Sequence, residues 1–262
     1  MASAVRLRSA VSLLGRFPAL AGVDLDVAVG EILLIQGANG AGKTTLLRAC
    51  AGLASFSAGE AEVLGHDLRQ DRKSVRRRIG LLGHATFLYD DLTVADNLVF
   101  SARSAGASAD SAADAMARLG LDGRLRDVPT GRLSAGQRRR VAIAAVIARR
   151  ADLWLLDEPH AGLDAAGRNL LDHLVREAAA AGATVLLASH ELDRAAALAT
   201  RTVVMAGGQV TGGLLATGDV RIPDHTAPGG AGPERPLERG GGARPRRGAG
   251  DGAPAGKASN VA

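Results

Sequence analysis

At 262 residues the chain has room for one α/β domain with a small insertion or tail, not for two full domains. Hydrophobic residues make up 47% of it but aromatics only 2%, so its core has to be built from Leu, Val, Ile and Ala. The net charge of +5 permits nucleic acid or anionic lipid as a partner, yet the excess is small and dispersed, and the single cysteine, Cys50, excludes a disulfide and a thiolate-rich metal site and fits a reducing cytosol.

Apart from Lys43, Lys73 and Lys257, every basic residue is arginine. Two clusters, Arg76 to Arg78 and Arg138 to Arg140, read equally well as solvated helix faces or as a partner surface. No apolar run approaches the ~20 residues that a membrane-spanning helix needs. The apolar stretch after Arg6 and Arg8 is cut short by Arg16, so no signal peptide is expected. If the protein works at a membrane, another subunit has to cross it.

In chain order, residues 3–8 and 23–29 read as two strands near an edge. Residues 31–36 (EILLIQ) form a short, almost wholly apolar strand, as expected when both faces are covered. A glycine-rich turn follows, then a helix from about Lys43 to Gly52. Further buried-type strands are expected at 79–82, 153–156 and 184–188, and helices at 94–103, 110–119, 135–149, 165–180 and 192–198. Strands alternating with helices imply an α/β fold built on a largely parallel sheet. Residues 87–130 carry helical patterns and no convincing strand, which makes them a helical insertion between two parts of the sheet domain, 1–86 and 131–210. A last hairpin, 202–205 and 209–210, turns at Gly207-Gly208. From 211 to 262 the chain is rich in Gly, Pro and Arg, and is expected to be a disordered tail.

The chemistry lies at the strand ends. Gly37, Ala38, Asn39, Gly40, Ala41, Gly42, Lys43 and Thr44, with Thr45 behind them, match a phosphate-binding loop. Its glycines let successive N–H groups point at phosphate oxygens, at a helix N-terminus whose dipole favours anions. Lys43 would hold the β- and γ-phosphates and the Thr44 hydroxyl would ligate Mg²⁺. The apolar strand 153–156 runs into Asp157 and Glu158. Asp157 would reach Mg²⁺, and Glu158 would polarise the attacking water. Ser134 and Gln137 have capping-box spacing, which explains a helix start by itself, although a capped N-terminus is also an anion site. His190 follows the strand 184–188, placed to aim at the γ-phosphate.

Together these motifs resemble the ABC ATPase family, over roughly residues 3–210. The LSGGQ-like sequence appears as LSAGQ at 133–137, the D-loop as Ala161-Gly162-Leu163-Asp164 and the switch histidine as His190. The resemblance implies a P-loop NTPase (RecA-like) core of mainly parallel sheet with an antiparallel edge and an inserted helical subdomain. It also implies ATP hydrolysis with Mg²⁺ by a homodimer, in which Ser134, Gly136 and Gln137 of one copy close on the nucleotide of the other. A multi-span membrane subunit, a cytoplasmic position on the inner face of the cell membrane and no nucleic-acid partner are the further expectations. The groove between sheet domain and insertion would take the membrane subunit, with Phe87, Leu88 and Tyr89 either at its edge or in the core.

Two departures from the family pattern stand out. His84 occupies the place of the usual glutamine, where it could still touch Mg²⁺ through water. Leu14 before Gly15 stands where an adenine-stacking aromatic is usual, so stacking is aliphatic or falls to Phe17. Gly83-His84 with LSAGQRRR is similar to the haem-exporter ATPases of cytochrome c maturation; an isolated substitution in a drug, lipid or polysaccharide exporter is the alternative. A soluble relative acting on nucleic acid usually has two cassettes, zinc cysteines or long coiled coils, none of which fits here. A cassette that binds without hydrolysing is opposed by Lys43, Asp157, Glu158 and His190.

Overall fold

A computed structural model describes residues 2–215. The expected tail beyond residue 215 lies outside the described residues. Its first five positions do not belong to it, because the last strand runs on through Leu215.

The N-terminal strands β1 (Ser3–Leu14) and β2 (Phe17–Ala28) pair antiparallel. In β1 Val5 and Leu7 turn inward while Arg6 and Arg8 face solvent, the period of two that a half-buried strand requires. Both strands run longer than their apolar patterns suggest, and they belong to a sheet of their own. Strands β4 (Ala58–Val63) and β5 (His66–Asp67) complete it in the order β2-β1-β4-β5. Neither β4 nor β5 is expected from the sequence. Gly59, Glu60 and Glu62 mask β4, which survives because Ala61 and Val63 are buried against β1.

The second sheet has the order β10-β9-β3-β8-β7-β6. Strands β3 (Ile32–Gln36), β6 (Ile79–Leu82), β7 (Leu153–Asp157), β8 (Thr184–Ala188) and β9 (Arg201–Ala206) run parallel, and β10 (Gln209–Leu215) closes the edge antiparallel. Alternate residues of the central strands enter two separate cores. Leu33, Ile35, Leu153, Leu155 and Leu186 pack with helix α1 (Lys43–Cys50) and the first sheet. Leu34, Trp154, Leu156, Val185 and Leu187 pack with the helices on the other face. That double burial is why these strands read as unbroken apolar runs.

The expected helical insertion is present as α3 (Val94–Ala105) and α4 (Ala109–Arg118), after a short, unexpected α2 (Arg72–Val75) capped by Asp71. Helix α5 (Ala135–Ala148) carries the insertion on one side and the sheet on the other, through Ser101 Oγ to Ala145 O at 3.1 Å and Ser111 Oγ to Ala148 O at 2.9 Å. Arg149 completes the join, donating to Ile79 O, Arg76 O and Ser104 Oγ at 2.9, 2.6 and 2.8 Å. Helices α6 (Ala165–Ala180) and α7 (Leu192–Ala196) return the chain to β8 and β9; α7 is shorter than its apolar pattern. Among the described residues no helix is long and apolar enough to cross a membrane.

Cys50, the last residue of α1, is fully buried, and burial pushes its thiol up to about 12. The folded thiol therefore keeps its proton while an unfolded one ionises near ~8.5. Stability is expected to fall as pH climbs from about 9 toward 12, and Cys50 should resist a thiol reagent at pH 8.5 until the chain is denatured. Titration with a chromogenic disulfide, with and without denaturant, checks both the burial and the sign.

Candidate functional site

The loop between β3 and α1 is shaped by steric exclusion. Gly37, Gly40 and Gly42 all have positive φ, at 149°, 80° and 104°. A Cβ on Gly37 would lie 2.3 Å from Met205 O, and one on Gly42 would lie 2.7 Å from Ala19 O. Gly40 instead faces open space, so its requirement is conformational. Lys43 folds back over the loop and donates from Nζ to Gly37 O at 2.6 Å and Ala38 O at 3.1 Å.

This loop borders a cavity of about 420 Å³, with Asn39 to Thr45 on one wall and His84, Asp157 and Glu158 on another. Thr44 Oγ1 donates to Asp157 Oδ2 at 2.7 Å, so a hydroxyl and a buried carboxylate from elements 113 residues apart stand side by side. Two hard oxygen donors are what Mg²⁺ takes from a protein when phosphates supply the rest of its shell. Leu14 lines the cavity and Phe17 does not, although both side chains are highly exposed.

Beyond β7 the backbone turns sharply. Glu158 has φ 48°, a left-handed conformation costing a non-glycine residue roughly 1–2 kcal/mol. The turn brings its carboxylate to His190, with Oε2 2.8 Å from Nδ1 and 3.3 Å from the His190 backbone N–H. Strand β8 lies between β3 and β7, which is why a histidine just past its end can reach a glutamate just past β7.

Sequence reasoning missed Arg139, which it had placed on a solvated face or partner surface. The side chain is buried, and its guanidinium donates to Gly83 O at 2.7 Å, Asp157 O at 3.1 Å and Glu158 O at 2.5 Å. Burial lowers its pKa, while Asp157 and Glu158 oppose that shift. One available signal is spacing: Arg139 shares a helix face with the buried Ala142 and Ile143, three and four residues on. Its neighbours do face outward, Arg138 to Asp90 at 2.6 Å and Arg140 to Asp164 at 3.2 Å.

Ser134, Gly136 and Gln137 lie apart from this cavity, at the start of α5. The capping box forms: Gln137 N donates to Ser134 Oγ at 3.2 Å and Ser134 N to Gln137 Oε1 at 3.0 Å. A Cβ on Gly136 would sit 3.3 Å from Gly162 O, which places the D-loop against this helix start.

A phosphate loop closing a buried parallel strand, faced by an acidic strand end in the same sheet, defines a P-loop nucleotide hydrolase. The chain belongs to the ABC transporter ATP-binding family, whose domain matches residues 20–161. It is 44% identical over 173 residues, 65% of this chain and 80% of the relative, to the cytochrome c biogenesis ATP-binding export protein CcmA of Aromatoleum aromaticum. It is 41% identical to the daunorubicin/doxorubicin resistance ATP-binding protein DrrA of Streptomyces peucetius, over 73% of this chain and 59% of that protein. The fold matches, at a TM-score of 0.73 and 25% identity, a dimeric ATP-binding cassette in a post-hydrolysis state with ADP and Pi bound, covering 82% of this chain and all of that one. The chain is thus an ATP-hydrolysing subunit of an ABC transporter.

Replacing Arg139 by Met removes the donor for three backbone carbonyls while keeping the volume. The expected cost is about 2–4 kcal/mol of stability, read in a urea titration of Trp154 fluorescence. Stability within about 0.5 kcal/mol of wild type would mean that water replaces the guanidinium at no cost.

Proposed function

We propose that this chain powers haem export for cytochrome c maturation, as a homodimer held against a multi-span membrane subunit on the inner face of the cell membrane. The observation that carries the reading is the 44% identity to a cytochrome c biogenesis export ATPase over 80% of that protein's length. His84 supports it, standing in the nucleotide cavity at the position that first suggested this subgroup.

In this reading the loop N–H groups of residues 37–45 receive the phosphates at the N-terminus of α1. Lys43 exchanges its neutral carbonyl partners for phosphate oxygens, a stronger, charge-assisted bond. Thr44 and Asp157 would hold Mg²⁺, with His84 reaching it through water; when bound the ion offsets charge on the β- and γ-phosphates. Glu158 takes the proton of the attacking water. Because His190 occupies Oε2 from both its ring and its backbone, Oε1 is the oxygen left for that proton. Ser134, Gly136 and Gln137 serve the nucleotide of the partner copy, which fits their distance from the chain's own cavity.

The membrane subunit would enter a cavity of about 390 Å³ between the sheet domain and the insertion. Phe87, Tyr89 and Phe100 on its wall are 62%, 54% and 51% exposed, whereas Leu88 packs on the core. Asn97 holds that wall in place, bonding Tyr89 N at 2.8 Å and Tyr89 O at 3.0 Å from a buried position. Exposed aromatics in a chain so poor in them suit the apolar face of a partner helix.

The 41% identity to a drug-resistance ATPase keeps export of another substance as the second reading. Expression with its cognate membrane subunit, in a bacterium lacking its own cytochrome c maturation ATPase, separates the two. Restored haem staining of c-type cytochromes is expected; daunorubicin resistance without haem attachment would favour the drug exporter.

Glu158→Gln should bind ATP, trap the closed dimer and lose about 10²–10⁴-fold in turnover. Full turnover with the membrane subunit present would exclude Glu158 as the base. For the groove, Phe100→Asp is expected to weaken assembly by about 2 kcal/mol, roughly thirtyfold, in co-purification with the membrane subunit. Unchanged assembly would put the interface elsewhere.

A further inference from the structure

A buried ionisable cluster lies behind the site and has no part in the chemistry so far described. His160, 1% exposed, follows Glu158 by two residues, and its Nε2 is 2.7 Å from Asp172 Oδ1 on α6. The other oxygen of Asp172 accepts from Arg194 on α7, and Arg194 also donates to Asn169 Oδ1 at 3.2 Å. His160 Nδ1 is buried without a partner, so the ring's one polar attachment is the carboxylate. The tautomer that satisfies the pair donates from Nε2 and leaves Nδ1 a bare acceptor.

The position of this cluster gives it a task. The turn after β7 is closed by Ala161 N to Glu158 O at 3.1 Å and Leu163 N to His160 O at 3.2 Å. It begins in the left-handed conformation of Glu158, which persists only if the surroundings hold it. Arg139 holds the near end through carbonyls; at the far end His160 reaches Asp172 on α6, and Leu163 O accepts from Arg168 Nε of the same helix at 3.1 Å. On the other side, the segment after β8 that carries His190 is tied to the same helix by Arg194, to Asp172 and Asn169, and by Glu191, to Arg168 at 3.2 Å. Glu158 and His190 therefore approach each other from two segments that share one helix as their support.

We infer that His160 is a positioning residue: by sharing Asp172 with Arg194 it locks the turn of Glu158 to the segment of His190 and so sets the geometry of that pair for hydrolysis. The inference rests on the reading of Glu158 as base with His190 beside it. It concerns the chemical step and not nucleotide affinity, because His160, Asp172 and Arg194 are absent from the lining of the nucleotide cavity.

The test measures kcat and KM for ATP separately on the full chain for His160→Phe, His160→Gln, Arg194→Met and the double variant His160→Phe/Arg194→Met, with Glu158→Gln alongside. His160→Phe keeps the ring's volume without its nitrogens, and should lose about 10- to 100-fold in kcat with KM within about twofold. His160→Gln, which can still donate to Asp172, should recover most of that loss. The double variant should be no worse than the poorer single, since both act through one carboxylate. A kcat for His160→Phe within twofold of wild type, a parallel rise in KM, or losses that multiply in the double variant would each overturn the inference. If His160→Phe does not fold, Arg194→Met at its partly exposed site decides, and unchanged kcat there is equally fatal. Normal turnover by Glu158→Gln would sink the assignment of the base and this inference with it. An inactive Glu158→Gln beside a fully active His160→Phe sinks this inference alone.

Discussion

Three central parallel strands, β3, β7 and β8, covered on both faces, leave polar chemistry only their ends to occupy. Leu33 and Ile35 enter one core while Ile32 and Leu34 enter the other, so β3 has no solvated face on which a functional group could sit. The same holds for β7 until Asp157, and for β8 until Ser189. At those ends the backbone must turn, and the turns bring together the glycine loop, the Thr44–Asp157 pair and the Glu158–His190 pair. The site follows from the double burial of the sheet together with the order β3-β8-β7.

Turning costs energy, and the protein meets that cost in two ways. In the phosphate loop glycines remove the Cβ that would collide with Met205 O or Ala19 O. At Glu158 a side chain that pairs with His190 stands in the left-handed conformation, so the strain stays and other groups hold it. Arg139 anchors three carbonyls from below, and Asp172 anchors His160 from behind. Each anchor leaves one buried nitrogen, Arg139 Nε and His160 Nδ1, without a partner, so both are held at some cost beside the one strained non-glycine residue of the site.

Helix α5 joins regions that are far apart in sequence. Its first turn carries Ser134 and Gly136 beside the D-loop, its second carries Arg139 beneath Glu158, and its last meets the insertion through Ala145 and Ala148. One helix thus connects the insertion to both the helix start and the acidic strand end.

The phosphate loop, the strand into Asp157-Glu158, the capping box at Ser134 and most helices were legible because each is local. An apolar run, a glycine spacing or a cap is recognised within a few residues of itself. Strands β4 and β5 and helix α2 were not, since they are short and depend on neighbours rather than on their own pattern: β4 pairs with β1, β5 with β4, and α2 lies against β5. Arg139 was hidden inside a run of three arginines, where only the facing of a helix separates a buried guanidinium from two half-buried, ion-paired ones. The pairs Thr44–Asp157, Glu158–His190 and His160–Asp172 bring together different elements, and strand order and helix packing alone bring them within reach. Sequence by itself determined the family, the glycine loop and the main strands; the tertiary structure decided which buried polar groups hold the strand ends in place, because burial and partnership are properties of packed elements and of no single segment.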